Sequence, residues 1–421
     1  MDGTSRAQGA RPRRPMSKGV KWLALIAILS LVVAACGDGG SEGSDTTSGN
    51  EGATTSTEGA PSSSEGTTGG GDVSAEVQAA ADEAESLGLQ FAMSHDEILE
   101  KAQQEDGTLV VQTSTEDFQA FKDAFEAEYP FITLEWVELS GAATERMLIE
   151  VESGQASRYD VGYPAPEAYN NISDLMAWDL YGMASVGVLD MPLESIDEQN
   201  HLVVAAGHSG VALAYNSDLI AEGDLPQTWD EIADPRFARS ELGMTLDIDL
   251  NNVSVLATSP DWGIDRVVDL MSSMAELEPI YTDGHANAVA LVQSGEVAIS
   301  PFVNLHTAIR SIDEDPDGPL QIHFVEPVPI RASEAYGVFG DELAQAPYSA
   351  LLFVEWISGS DAAQELLDAD PLQASLFWDG SRMAEMIGDL ETTVADPAAV
   401  AALPDWILQI QEAAGFPTLE Q

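Results

Sequence analysis

Gly207-His208-Ser209-Gly210-Val211 sets a hydroxyl beside an imidazole, the opening of a hydrolase nucleophile elbow. The elbow turns sharply from strand to helix only with glycine in its fifth place, and Val211 stands there. The six histidines are scattered and form no HExxH zinc pair, so hydrolysis is not the expected chemistry. Asp313-Glu314-Asp315-Pro316-Asp317-Gly318 matches the first half of a calcium loop, but Phe324 occupies the twelfth place, where a bidentate glutamate is required. It is read as a solvated turn. Asp247-Ile248-Asp249-Leu250-Asn251-Asn252 fails as a calcium loop too, lacking glycine at six and carrying Thr258 at twelve. Its position is more informative. It follows Met244-Thr245-Leu246, an apolar run of strand character, and open α/β sheets bind ligands outside the carboxyl ends of their strands. Asp247 and Asp249 there either cap the next helix or hold an amine or hydroxyl of a ligand.

The elements that would position such groups alternate at short spacing. Ser94-His95-Asp96-Glu97 is a capping box ahead of Ile98-Leu99, and Gly107 ends the helix. Thr108–Thr113 reads as a buried strand. Ser114-Thr115-Glu116-Asp117 opens a helix with Phe118, Phe121 and Phe125 on one face, a core stripe rather than a ligand box. Strands follow over 131–137 and 159–163, with a helix from Ser140-Gly141 to Gly154 between them. This alternation predicts an α/β fold with mostly parallel sheets flanked by helices. The strand ends Thr113-Ser114-Thr115, Ser140-Gly141 and Tyr163-Pro164 form a candidate cleft wall. The hydroxyl-bearing ones either cap helices or, with the N–H groups of the helix starts, receive an anion or a carbonyl oxygen.

The N-terminus is of another kind. Arg6, Arg11, Arg13, Arg14, Lys18 and Lys21 precede an apolar run from Trp22 to Ala35, too short to span a bilayer but the length of a signal-peptide core. It ends in Val33-Ala34-Ala35-Cys36, which resembles the bacterial lipobox, with lipid on the only cysteine. From Gly37 to about Asp72 the chain is Gly, Ser, Thr and acid, a composition that cannot bury enough surface to fold. Residues 1–35 are therefore expected to be a lipoprotein signal peptide and 36–72 a lipidated tether. Those six basic residues belong to the 16 of the full chain, and Asp2 to the 72 acids. From Cys36 onward 10 cations face 71 acids, a net charge of −61. Nucleic acid is excluded as a partner, because phosphate binding needs lysine and arginine. The evenly spread acids fit solubility in a salty medium or an acidic proteome, with attraction of a cationic ligand as the alternative.

Five segments resemble, in order, the extracellular solute-binding proteins of ABC importers, in the branch of ferric-ion, thiamine and polyamine binders. They are Ala102–Val111, Gly210–Asn216, Leu225–Phe237, Gln293–Ile299 and Ala350–Ala363. The resemblance implies a two-lobed periplasmic-binding-protein type II fold, each lobe a mixed sheet flanked by helices, joined by crossing strands. It places lobe 1 at 73–212, lobe 2 at 213–327 and the return to lobe 1 with C-terminal helices at 328–421. It further implies a non-enzymatic, cofactor-free, monomeric protein that closes by a hinge on a small solute. An ABC permease with its ATPase would be its partner, and the outer face of the cytoplasmic membrane its location. The ferric branch carries adjacent tyrosines where Leu305-His306 stand here, after Asn304, and a glutamate where Tyr163-Pro164 stand. Without phenolates, a hard trivalent cation has too few anionic oxygens, so an organic solute is expected instead. The candidate ligand-binding residues are Thr113, Ser114, Thr115, Ser140, Gly141, Tyr163, Asp247, Asp249, Asn304, His306 and Tyr336. The acids, Tyr163 and His306 suit an amine or hydroxyl; Ser114, Thr115 and Ser140 suit an anion.

Overall fold

The computed structural model describes residues 74–113, 118–138, 142–154, 158–164, 169–369, 372–395, 399 and 402–415. Cys36, the signal segment and the tether lie outside the described residues, as do Ser114, Thr115, Ser140 and Gly141. No helix among the described residues is long and apolar enough to cross a membrane.

The chain opens with helices α1 (Ala75–Leu87) and α2 (His95–Ala102). The capping box is formed at α2: Glu97 N–H donates to Ser94 Oγ at 3.1 Å, and the Glu97 carboxylate reaches back to the N–H of Met93. Strand β1 (Thr108–Thr113), α3 (Gln119–Glu128), β2 (Thr133–Glu138), α4 (Ala142–Glu152) and β3 (Val161–Gly162) then alternate as the apolar runs require. Phe118 and Phe125 are buried, and Phe118 stacks on Phe121 at 4.7 Å, so the aromatic stripe is core. After α5 (Tyr169–Ser173), α6 (Leu180–Ser185) and β4 (Val204–Ala205), the chain enters the long strand β5 (His208–Asn216).

The middle of the chain supplies β6 (Thr245–Asp247), α7 (Asn251–Ser254), α8 (Gly263–Ala275), β7 (Ile280–Thr282), α9 (His285–Gln293), β8 (Ile299–Asn304), α10 (Leu305–Glu314), β9 (Leu320–His323) and β10 (Val328–Ala332). Strand β11 (Ala335–Val338), helices α11 (Pro347–Gly359), α12 (Asp361–Ala369) and α13 (Arg382–Ile387), β12 (Thr392–Ala395) and α14 (Leu403–Ala413) complete it.

Two sheets result. The first runs β2-β1-β3-β11-β4, with β1, β2 and β3 parallel and β11 antiparallel to its neighbours. Helix α11 packs against it and is buried at every residue from Ser349 to Ser358, which is why that helix is apolar all round rather than on one stripe. The second sheet is built on β5, which pairs antiparallel with β8 on one edge and with β10 and β9 on the other. The β6–β7 pair joins it through a parallel bridge between Met244 and Ile299. Strand β5 leads from the first sheet into the second and β10 returns, so these two strands are the crossing.

The two faces of the crossing carry different neighbours. Val211 and Leu213 point into the core formed with α7 and α8, whereas Ala212, Val328 and Ile330 pack on Leu305, Leu372 and Met383. Alternation along a strand imposes this division. Helix α14 touches both lobes. Ile410 and Ala414 join the core of the second sheet, Leu403 joins a first-lobe cluster with Val110 and Met147, and Trp406 and Ile407 pack on both. The C-terminal segment thus packs into two of the core clusters.

Candidate functional site

In the second lobe the carboxyl ends of β6 and β8 and the start of α9 converge on one polar group. Strand β6 ends at Asp247, whose Oδ1 accepts from the N–H of Asp249 at 2.7 Å. Asp249 Oδ1 in turn accepts from the N–H and the Nδ2 of Asn251. These local bonds shape the loop into α7 and carry Asn252 into the interior. Asn252 Nδ2 donates to the Phe302 carbonyl at 2.8 Å and to Asn304 Oδ1 at 2.9 Å. Only an NH2 group can face that carbonyl, so the amide orientation is fixed. Phe302 has φ 58°, beside a register shift between β5 and β8, a left-handed conformation that costs on the order of 1–3 kcal/mol. That kink turns its carbonyl toward Asn252.

His285 opens α9 after Gly284 and lies between the two acids. Its Nδ1 is 3.7 Å from Asp247 Oδ2 and its Nε2 3.8 Å from Asp249 Oδ2, both beyond hydrogen-bond length. Burial pushes the imidazole below its ordinary pKa, with the two carboxylates opposing and the Arg331 charge adding to the shift. Burial likewise pushes Asp247 above the ordinary carboxylate range. Three buried atoms here, Asp247 Oδ2, Asn252 Oδ1 and His285 Nδ1, have no hydrogen-bond partner. Buried polar atoms are nearly always paired, so three unpaired ones on neighbouring residues of one site are a property to be explained.

A second such group lies on the crossing and the first lobe. Arg331 on β10 faces Ser209 on β5 across the ladder, and Arg331 Nε, Ser209 Oγ, Ser333 Oγ and Gln112 Nε2 are buried without partners. Tyr163 links them: its N–H is 3.4 Å from Gln112 Oε1, and its hydroxyl is 3.5 Å from the Ser333 carbonyl. Helix α7 packs against β10, on the side of Val211 and Leu213, which brings the two groups to one region.

The candidates from sequence divide accordingly. Asp247, Asp249 and Asn304 lie together in the second lobe, and Tyr163 beside Gln112 and Ser333. Thr113 is fully buried at the end of β1, with its side chain bonded to Tyr336. Tyr336 is itself a core residue, its hydroxyl 2.8 Å from Glu334. His306 falls on the far face of the crossing, lining a surface cavity with Ile309, Arg310 and Leu372, its ring 3.5 Å from Gln373 Nε2. Leu305 beside it is buried in the apolar cluster on that face. Leu305 and His306 therefore do not converge with Tyr163. Among the described residues no group of histidine and carboxylates is placed to hold a metal. His285, Asn252, Gln112 and Arg331 were not singled out from sequence. His285 could have been, since a helix-opening histidine directly after a strand obeys the same carboxyl-end rule that identified Asp247.

Ser209 and His208 of the elbow-like segment point to opposite faces of β5. His208 is fully buried, its Nδ1 accepting from the N–H of Leu376 at 3.2 Å, so no catalytic dyad forms.

Comparison with known proteins agrees with this architecture. Residues 182–327 match the family model of bacterial extracellular solute-binding proteins. A search of curated protein sequences finds no significant match. Among solved structures, the chain is similar to iron-bound HitA from Pseudomonas aeruginosa, with 16% identity over 73% of this chain and 99% of that one and a TM-score of 0.53. It is similar to FutA of Trichodesmium in complex with iron and citrate, at 15% identity, 73% and 99% coverage and a TM-score of 0.58. A third is the substrate-binding protein of an ABC transporter from Agrobacterium tumefaciens, at 15% identity, 73% and 95% coverage and 0.55. The matched family is one of solute-binding proteins, and these neighbours are described as iron-bound or as a transporter's substrate-binding protein. Residues 182–327 thus resemble bacterial extracellular solute-binding proteins, and the chain has the fold of HitA and FutA.

Proposed function

We propose that this chain captures one small organic solute between its lobes and hands it to an ABC permease with its ATPase. In this reading lipid on Cys36 holds it to the outer face of the cytoplasmic membrane, and the tether lets the binding domain reorient. The observation that carries the proposal is the pair of unpartnered polar groups, one on the second lobe and one on the crossing and first lobe. Leaving such atoms unpaired costs about 1–3 kcal/mol each, a cost that a ligand supplying the missing bonds removes. Capture follows from differential affinity: a solute that bonds to both groups favours the arrangement that brings the lobes together.

The test is thermal unfolding of the full chain against amino acids, polyamines, organic acids, phosphonates, sulfate, sugars and ferric citrate. A ligand at a hundredfold over its Kd adds about 2.7 kcal/mol, raising Tm by on the order of a few degrees. A rise confined to one chemical class is expected. No rise with any class would refute solute capture.

A further inference from the structure

The two polar groups have opposite hydrogen-bonding character, and this says what the solute must be. In the second lobe the orphans on Asp247 and Asn252 are acceptors, Oδ2 of a carboxylate and Oδ1 of an amide. The third orphan, His285 Nδ1, bears a hydrogen because Nε2 accepts from Asn252 Nδ2 at 3.3 Å, but at 3.7 Å from Asp247 Oδ2 it does not satisfy that carboxylate. Asp247 is 6% exposed, Asn252 0% and His285 7%, so bulk water does not serve these atoms. Facing acceptors require a donor. At the crossing the orphans on Gln112 and Arg331 are donors only, Nε2 of an amide and Nε of a guanidinium, and the Ser333 hydroxyl can donate beside them. Facing donors require an acceptor. No ion pair to Arg331 forms among the described residues, although 71 acids stand in the chain after residue 35. Helix α7, which carries Asn252, packs against β10, which carries Arg331, so the two groups lie in one region.

We infer that the solute is a zwitterion, with an ammonium on Asp247 and Asn252 and a carboxylate or other oxyanion on Arg331, Gln112 and Ser333. The inference rests on the solute-capture reading and narrows it to a ligand class. The charge balance of the protein points the same way. A bare anion approaching a chain of net charge −56 is repelled, and a bare cation would leave the Arg331 guanidinium without a counterion. A molecule of zero net charge that carries both ends meets neither penalty.

A charge-deletion cycle on the ligand tests this, with glycine, L-alanine, β-alanine, 4-aminobutyrate and 5-aminovalerate as zwitterions of graded length. Each is compared with the amine and the carboxylic acid of the same skeleton, using full-length protein and titration calorimetry. One length should bind, and removal of either charge should weaken it about tenfold to a hundredfold, as for lost charged hydrogen bonds. In Arg331→Gln the preference for the zwitterion over the amine should vanish. In Asp247→Asn the preference over the acid should vanish. Because the wild-type comparison alone reads both charges, the test stands even if a variant folds poorly. A one-charge analogue binding as well as its zwitterion would overturn the inference. So would binding confined to sugars, diamines, sulfate or ferric citrate, which leaves solute capture intact. Absence of binding by every compound, these four classes included, refutes both.

Discussion

Replacing His208 by Asn removes one titrating group from the centre of the crossing and should flatten part of the acid limb of stability. The imidazole is fully buried, and burial pushes its pKa from 6.5 down to about 4. The neutral ring accepts from Leu376 N–H and packs edge-on against Phe377 at 5.4 Å. A base whose folded pKa is depressed binds fewer protons folded than unfolded, so stability falls as pH drops from about 6.5 toward about 4. Each tenfold loss of proton affinity on folding is worth about 1.4 kcal/mol, so the full loss is about 3 kcal/mol, of which about 2 kcal/mol has occurred by pH 5. Asn places its Oδ1 near the position of the ring Nδ1 and keeps an acceptor for Leu376. Urea unfolding of both proteins at pH 7.5 and pH 5 isolates the effect, because carboxylate contributions and the packing cost of the smaller side chain cancel in the difference. Wild type should lose about 2 kcal/mol more than the variant over this interval. Equal losses would show that His208 can take a proton in place, and the argument from burial would be wrong.

Three further outcomes are expected. Leu403→Ala and Ile410→Ala should each destabilise by about 2–5 kcal/mol in urea unfolding, since both are fully buried under α14, while Leu408→Ser on its 65% exposed face should change stability by less than about 0.5 kcal/mol. Indifference to the first two would mean that α14 does not pack into these clusters. Cys36→Ala should move the protein from membrane to soluble fractions, and a variant still sedimenting with membranes would refute lipid anchoring. Burial holds Asp247 above the usual carboxylate range, so a cationic group on it loses its partner as pH falls through that raised value; the Kd of a zwitterionic ligand should be weaker at pH 4.5 than at 7.5, and an unchanged Kd would exclude Asp247 from the site.

Much of the fold was legible because its determinants are local. The Ser94 capping box, the apolar run 108–113 and the Phe118–Phe125 spacing specify elements within a few residues of themselves, and the structure has each of them. Of the buried polar group, the part on one loop was legible, since Asp247 and Asp249 follow an apolar run that forms a strand. The rest depends on contacts distant in sequence. Asn252 meets Phe302 fifty positions away, and Arg331 reaches the site only because β10 lies against β5 with one particular face toward α7. The facing of α10 is not written in its spacing either. Leu305 turns into the cluster with Met383, and His306 follows it to the far side of the crossing. Tyr336 has a polar tip, but Glu334 lies two residues away and takes its hydroxyl, so the ring stays in the core. A hydroxyl or imidazole near a cleft in sequence becomes a ligand group only if no neighbour satisfies it first.

Calorimetric titration of the full chain with the ligand that raises Tm most tests the central claim most directly. Capture between two lobes predicts one ligand per chain, a negative heat-capacity change on binding, and at least a tenfold loss of affinity in Asp247→Asn. A stoichiometry above one, or an affinity that Asp247→Asn leaves unchanged, would place the solute elsewhere and contradict the account.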